Sequence, residues 1–242
     1  MSRAAKLYIA LILATGTAVL LVAAARWSSP SLVQLAALLG FTLFASTLKV
    51  RIPGMTGTIS PNFAFLLIGI TFFNFSQVMV TAAAAALVQS FWRPKSRPRV
   101  IQVLFSASAL VISSAFAFSL SHLIVRPADH DGSVPLALLA GVLYFSMNTT
   151  LVSMVVGLTE RQPVKEVCQH CFEWVFPFFA FGIVVIAMMS GSYSTVTAWR
   201  SSLEVAPAMV VAYLYFLGRS KKQTASTITR HEEEELFALS SR

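Results

Sequence analysis

The sequence predicts an all-α fold, a polytopic transmembrane helix bundle of about eight spans. Three observations carry that expectation. Mean hydropathy is +0.73, and charged residues make up 12% of the 242-residue chain. That is about half the charged share of a soluble domain, so lipid is the solvent that suits this surface. Apolar runs recur along the chain at about the 17–25 residues a helix needs to cross a bilayer. The basic residues fall between these runs, not within them.

The candidate spans are Leu7–Ala25, Ser31–Leu48, Ile59–Phe75, Ser76–Trp92, Val100–Val125, Val134–Leu158, Phe172–Ser190 and Leu203–Gly218. Residues 1–218 read as the membrane domain. Residues 219–242 read as a polar, then acidic, tail that contains helix formers. The basic segment Met1 to Lys6 before the first run resembles a signal peptide. That run is long enough to cross, however, and another span follows it, so it reads as a retained first helix. Spans three and four are short and meet near Asn74. They form either two full spans or a re-entrant hairpin, which is tolerated when packed in protein.

The charges orient the bundle. With the N-terminus inside, the inner segments hold Arg3, Lys6, Lys49, Arg51, Arg93, Lys95, Arg97, Arg99, Arg161, Lys165, Arg219, Lys221, Lys222, Arg230 and Arg242. The outer segments hold Arg26, Arg126 and Arg200. Such a bias predicts both termini in the cytoplasm of a cell whose inner membrane holds the protein. The same scatter argues against nucleic acid as a partner, because the formal charge of +8 is not gathered on one arm or face. The lipid bilayer is the partner it implies.

Small residues mark helix packing. Ala10, Ala14 and Ala18 repeat every four residues, as do Ala109, Ser113, Ala117 and Ser121. That spacing lets helix backbones approach closely in lipid, within the bundle or between copies in a homo-oligomer.

Few residues suggest chemistry. Cys168-Gln169-His170-Cys171 is a C-x-x-C with a histidine inside it, just before span seven. It offers at most a weak metal or redox site, since zinc takes about four ligands and no second pair exists. The alternative is an amphipathic interfacial helix, Val164 to Trp174, using cysteines as small apolar residues. The two carboxylates and the imidazole of the outer loop Asp129-His130-Asp131 could hold a metal, but the loop reads first as a turn, with Asp131 or Ser133 capping span six. No Ser-His-Asp arrangement, phosphate loop or HExxH occurs, so the chain is expected not to be an enzyme and to need no cofactor. The polar residues Asn62, Asn74, Gln77, Gln89, Asn148, Thr149 and Thr150 lie in or beside spans. Buried amides are unfavourable unless paired. They should therefore glue helices or line a cavity, and Asn62, Asn74, Gln77, Asn148 and Thr149 are the candidate ligand contacts. Asn62 and Asn148 are expected to point into the bundle close to each other.

One stretch is distinctive: Leu48-Lys49-Val50-Arg51-Ile52-Pro53-Gly54, then Gly57-Thr58-Ile59-Ser60, then Asn62-Phe63. It resembles the loop in the multi-helix N-terminal membrane domains of bacterial HD-GYP and GGDEF signalling proteins, the MASE-type sensors. Trp92-Arg93, Gln102-Val103-Leu104-Phe105, Asn148-Thr149, Trp174 and Phe176-Pro177 match in order, so the resemblance covers roughly residues 40–235. In those proteins a cyclic-di-GMP phosphodiesterase or cyclase domain follows the last helix. Here the sequence reaches Arg242 without one. The resemblance therefore implies a sensor-like or scaffold module that works with a separate cytoplasmic signalling protein. Pro53-Gly54, Thr58-Ile59-Ser60 and the Ala10-Ala14-Ala18 series are also similar to substrate-binding subunits of energy-coupling-factor transporters. That likeness implies the alternative, a small-molecule-binding transport subunit.

Overall fold

The computed structural model describes residues 2–28, 31–51, 58–93, 98–125, 133–160, 162–190 and 205–220. These hold eight helices: α1 Arg3–Ala25, α2 Leu32–Thr47, α3 Asn62–Phe72, α4 Phe75–Phe91, α5 Val100–Ile124, α6 Ser133–Glu160, α7 Val164–Ser190 and α8 Val205–Ser220. Helices α1, α5, α6 and α7 are long and apolar enough to cross a membrane; the other four are shorter apolar helices. The fold is thus a helical bundle of membrane character.

The segment before α3 adds an element the sequence reading did not contain. Two short strands, β1 Val50–Arg51 and β2 Thr58–Ile59, pair antiparallel with Val50 opposite Ile59 and Arg51 opposite Thr58. Consequently α3 starts at Asn62, not at Ile59, and is only 11 residues long. At 1.5 Å per residue it reaches about 16 Å, well short of a bilayer core.

Helix α3 is nonetheless the centre of the molecule. Every residue from Asn62 to Ile70 is buried. It packs against α2, α4, α5, α6 and α7. A helix that is hydrophobic all round belongs inside a bundle, and this one has no face left for solvent or lipid. Its rings fix its neighbours. Phe63 stacks on Phe179 with centroids 4.0 Å apart, and Phe65 stacks on Phe41 at 5.8 Å. Gly182 of α7 lies under the Phe63 ring, where a Cβ would collide with it.

The α3–α4 hairpin runs between the two ends of the bundle. At one end the turn meets the C-terminal end of α1: the Asn74 side-chain amide donates to the Ser28 carbonyl at 2.7 Å, and the Ser76 hydroxyl donates to the Arg26 carbonyl at 3.1 Å. At the other end the Lys49 ammonium donates to the Trp92 carbonyl at 2.6 Å. Helix α1 runs alongside α5, with Tyr8 against Phe105 and Gly16 against Ser108. Arg3, Lys6, Lys49, Arg51, Arg93, Arg99, Lys165 and Arg219 therefore gather at one end of the bundle, hereafter the basic end. Arg26 is the only described lysine or arginine at the other.

Two packing expectations separate. Ala109, Ser113, Ala117 and Ser121 are all buried, and α5 is tightly packed along that stripe. Ala10, Ala14 and Ala18 are exposed. The packing face of α1 is instead Ala5, Ile9, Ile12, Gly16 and Ala23. Gly16 explains the choice. A Cβ there would stand 2.5 Å from the Ser108 Cβ and 2.8 Å from its Cα, so the closest backbone approach of α1 runs through its glycine.

Helix α7 also differs from expectation. No separate interfacial helix precedes it, and one helix runs from Val164 through Pro177 to Ser190. Its sequence neighbours Trp174, Val175, Phe178 and Phe179 are buried in the bundle, and that burial offsets the hydrogen bond a mid-helix proline removes.

Candidate functional site

Two polar junctions form, one at each end of the α3–α4 hairpin. At the basic end, the Asn62 amide nitrogen donates to Ser46 Oγ and to Gln89 Oε1, both at 3.2 Å. The link continues in α2: Ser46 donates to the Thr42 carbonyl at 2.8 Å, and Thr42 to the Leu38 carbonyl at 2.6 Å. One amide at the first residue of α3 therefore ties together the ends of α2, α3 and α4. The residue is 4% exposed, so these bonds operate where water competes little.

At the opposite end, Asn74 caps α4. Its Oδ1 accepts from the Gln77 backbone amide at 3.0 Å, and Gln77 Oε1 accepts from the Asn74 amide at 3.3 Å. This reciprocal pair satisfies two donors that a helix start otherwise leaves open. Asn74 and Gln77 are thus engaged in ending one helix and starting the next.

Asn148 is half-buried on α6, on the side that carries the buried Tyr144 and Leu151. Its Oδ1 is buried without a hydrogen-bond partner among the described residues. No hydrogen bond joins it to Asn62, whose amide donors go to α2 and α4 instead. Thr149 is 8% exposed. Phe63, next to Asn62, shares the Phe179 ring with Tyr144 and Phe145, so the start of α3 and the middle of α6 lie at a common depth.

The C-x-x-C pair is divided. Cys171 is buried and Cys168 is exposed. Among the described residues no group of three or more His, Cys, Asp and Glu side chains is placed to hold a metal ion. Asp129, His130 and Asp131, the outer-loop candidates, lie outside the described residues, as does the tail from Lys221 onward.

The sequence reading left out two residues that matter. Ser46 was passed over because a serine inside an apolar run carries no periodic signal. Lys49 reads in the sequence as a topology charge and part of the loop motif, yet its ammonium bridges the start of the β-hairpin to the end of α4. Only the pairing of distant segments exposes either role. Comparison with protein-family models, with curated proteins and with solved structures finds no match to this chain.

Proposed function

We propose that the protein is a multi-pass module of the cell inner membrane, with its basic end and both termini in the cytoplasm. In this reading it is a sensor-like or scaffold module that couples a membrane or ligand signal to a separate cytoplasmic partner, and it is not an enzyme. The observation that carries the reading is where the residues of the MASE-type resemblance collect. Lys49 meets Trp92, and Asn62-Phe63 meet α2, α4 and the Phe179 region of α7. Gln102 accepts from the Arg99 amide at 3.1 Å, and Trp174 lies under Arg219 at 4.7 Å. Positions spread over the sequence thus meet toward one end of the bundle, around the foot of a central helix that five other helices grip. Movement of α3 would reach that end directly through the Asn62 link.

Eight spans, or six with α3–α4 as a re-entrant hairpin that returns to its starting side, agree with the gathering of basic residues at one end. Reporter fusions after Lys6, between residues 93 and 99, and after Lys222 should all score cytoplasmic; a periplasmic signal at the last site would overturn the scheme. Partner identity decides function. Affinity purification from native membranes should recover a cyclic-dinucleotide signalling protein. Recovery of an ATPase pair with a membrane coupling subunit would replace this reading with the transport subunit. The observation favouring transport is the broken third span, since half-helices inside the membrane are where transporters bind substrate.

A further inference from the structure

We infer that the amino end of α3 binds an oxyanion, a carboxylate or phosphate group presented at the basic end of the bundle. The inference goes beyond the signalling reading and stands independently of it. It begins with the helix itself. No side chain caps α3 at Pro61, and Ser60 and Asn62 on either side are each 4% exposed. The first amides of a helix lack intrahelical partners, and the helix dipole places partial positive charge there. Anionic groups bind at such termini, including those of broken helices inside membranes.

A second observation lies at the same place. The Ser60 hydroxyl, one residue before the cap, is buried and meets no hydrogen-bond partner among the described residues. Most buried hydroxyls have a partner. An oxyanion at the helix terminus would accept from this one.

The register of the β-hairpin supplies a cation. Val50 pairs with Ile59, and Lys49 and Ser60 are the residues that flank this pair at the rim of the hairpin. The Lys49 ammonium is steered to this rim by its bond to the Trp92 carbonyl. An ammonium has three donors, and the carbonyl takes one. Burial also pushes Lys49 below its ordinary value, as expected where desolvation is not offset by a neighbouring anion. Arg93, beside Trp92, adopts a positive φ of 42° and adds a second cation at the end of α4.

The surrounding charge is one-sided. The first 128 residues contain no Asp or Glu. The described acids, Glu160, Glu166 and Glu173, belong to α6 and α7. Orientation in the membrane accounts for basic loops, but it does not account for a buried, uncapped helix start with an unpartnered serine beside it. Asn62 is not assigned to the ligand, because its amide is already bonded to Ser46 and Gln89.

The test uses the full chain in lipid nanodiscs. In phosphatidylcholine discs, inorganic phosphate and, separately, succinate are titrated calorimetrically. In parallel discs containing phosphatidylglycerol, retained lipid is counted by native mass spectrometry. Saturable binding of phosphate or succinate identifies a soluble anion, and selective retention of phosphatidylglycerol identifies a headgroup; either supports the site. Lys49→Met should weaken the observed binding by about tenfold, the scale of one charge-assisted hydrogen bond. Ser60→Ala should weaken it severalfold, and Lys49→Arg should largely retain it. If Lys49→Met does not fold, Ser60→Ala decides, since it removes only an oxygen without a partner. Absence of all three kinds of binding, or binding unchanged in Ser60→Ala and Lys49→Met, would overturn the inference.

Discussion

Helices α1 and α3 are both strongly apolar, and the structure uses them in opposite ways. α1 has 23 residues, long enough to span a membrane, and shows most of its surface, with Leu7, Leu11 and Leu21 all more than 60% exposed. α3 has 11 residues, too few to span, and buries nine of them. In water these would be contradictory fates for similar sequences. In lipid they are not, because the solvent is as apolar as the core, and burial of an apolar side chain is then decided by fit rather than by hydrophobicity. α3 is interior because its rings and glycine contacts interlock with five helices. α1 is peripheral because only one face, through Gly16, can approach α5.

Substitutions on the two helices test this contrast, from the largest effect to the smallest. Phe63→Ala removes the ring that stacks on Phe179 and covers Gly182. Loss of such a ring from a packed core is expected to cost about 3–5 kcal/mol, read as a lower midpoint in detergent-titrated unfolding. A change below about 1 kcal/mol, within the range of a well-tolerated hydrophobic swap, would mean that α3 is not the packed centre. Gly16→Val places a side chain against the Ser108 backbone. It should cost about 1–3 kcal/mol by overpacking and should separate α1 from α5. The distance between spin labels on those helices would report the separation.

Asn62→Ala removes two hydrogen bonds from the clamp at the basic end. Interhelical polar pairs in membranes average about 0.6 kcal/mol each, so the loss should be about 1 kcal/mol and the protein should remain folded. Thermal melts of Asn62→Ala, Gln89→Ala and the double variant should show less than additive losses, because the two residues share a bond. Fully additive losses would break the clamp. Ala14→Leu, on the outward stripe of α1, should change stability by less than about 0.5 kcal/mol. A marked loss there would show that the stripe is packed against another copy of the chain, which the homo-oligomer expectation allows.

Much of this was legible one residue at a time. The turn at Asn74 could be read because spans three and four are short, and the structure shows Asn74 and Gln77 capping one another there. The small stripe of α5 could be read because small residues at a four-residue spacing mark a packing face, and that face is buried. The same rule failed on α1, where Ala10, Ala14 and Ala18 point away from the bundle. Spacing gives a helix a narrow side but does not say which neighbour arrives. The absence of a hydrogen bond between Asn62 and Asn148 has a related reason. Depth along the spans placed the residues comparably, but the azimuth of Asn62 directs its donors to α2 and α4.

The sequence by itself determined that this chain is a helical bundle of membrane character. Hydropathy and the scarcity of charge are sums over residues and need no neighbour to have meaning. It also determined that the basic residues fall between apolar runs, because charge is excluded from lipid one side chain at a time. Tertiary structure alone decided which helix is central, which face of α1 packs, and that Lys49 reaches Trp92 across the end of the bundle. Those are relations between segments far apart in the chain. In a solvent as apolar as the protein interior, shape and hydrogen-bond geometry select among them, and neither is written in the local pattern of residues.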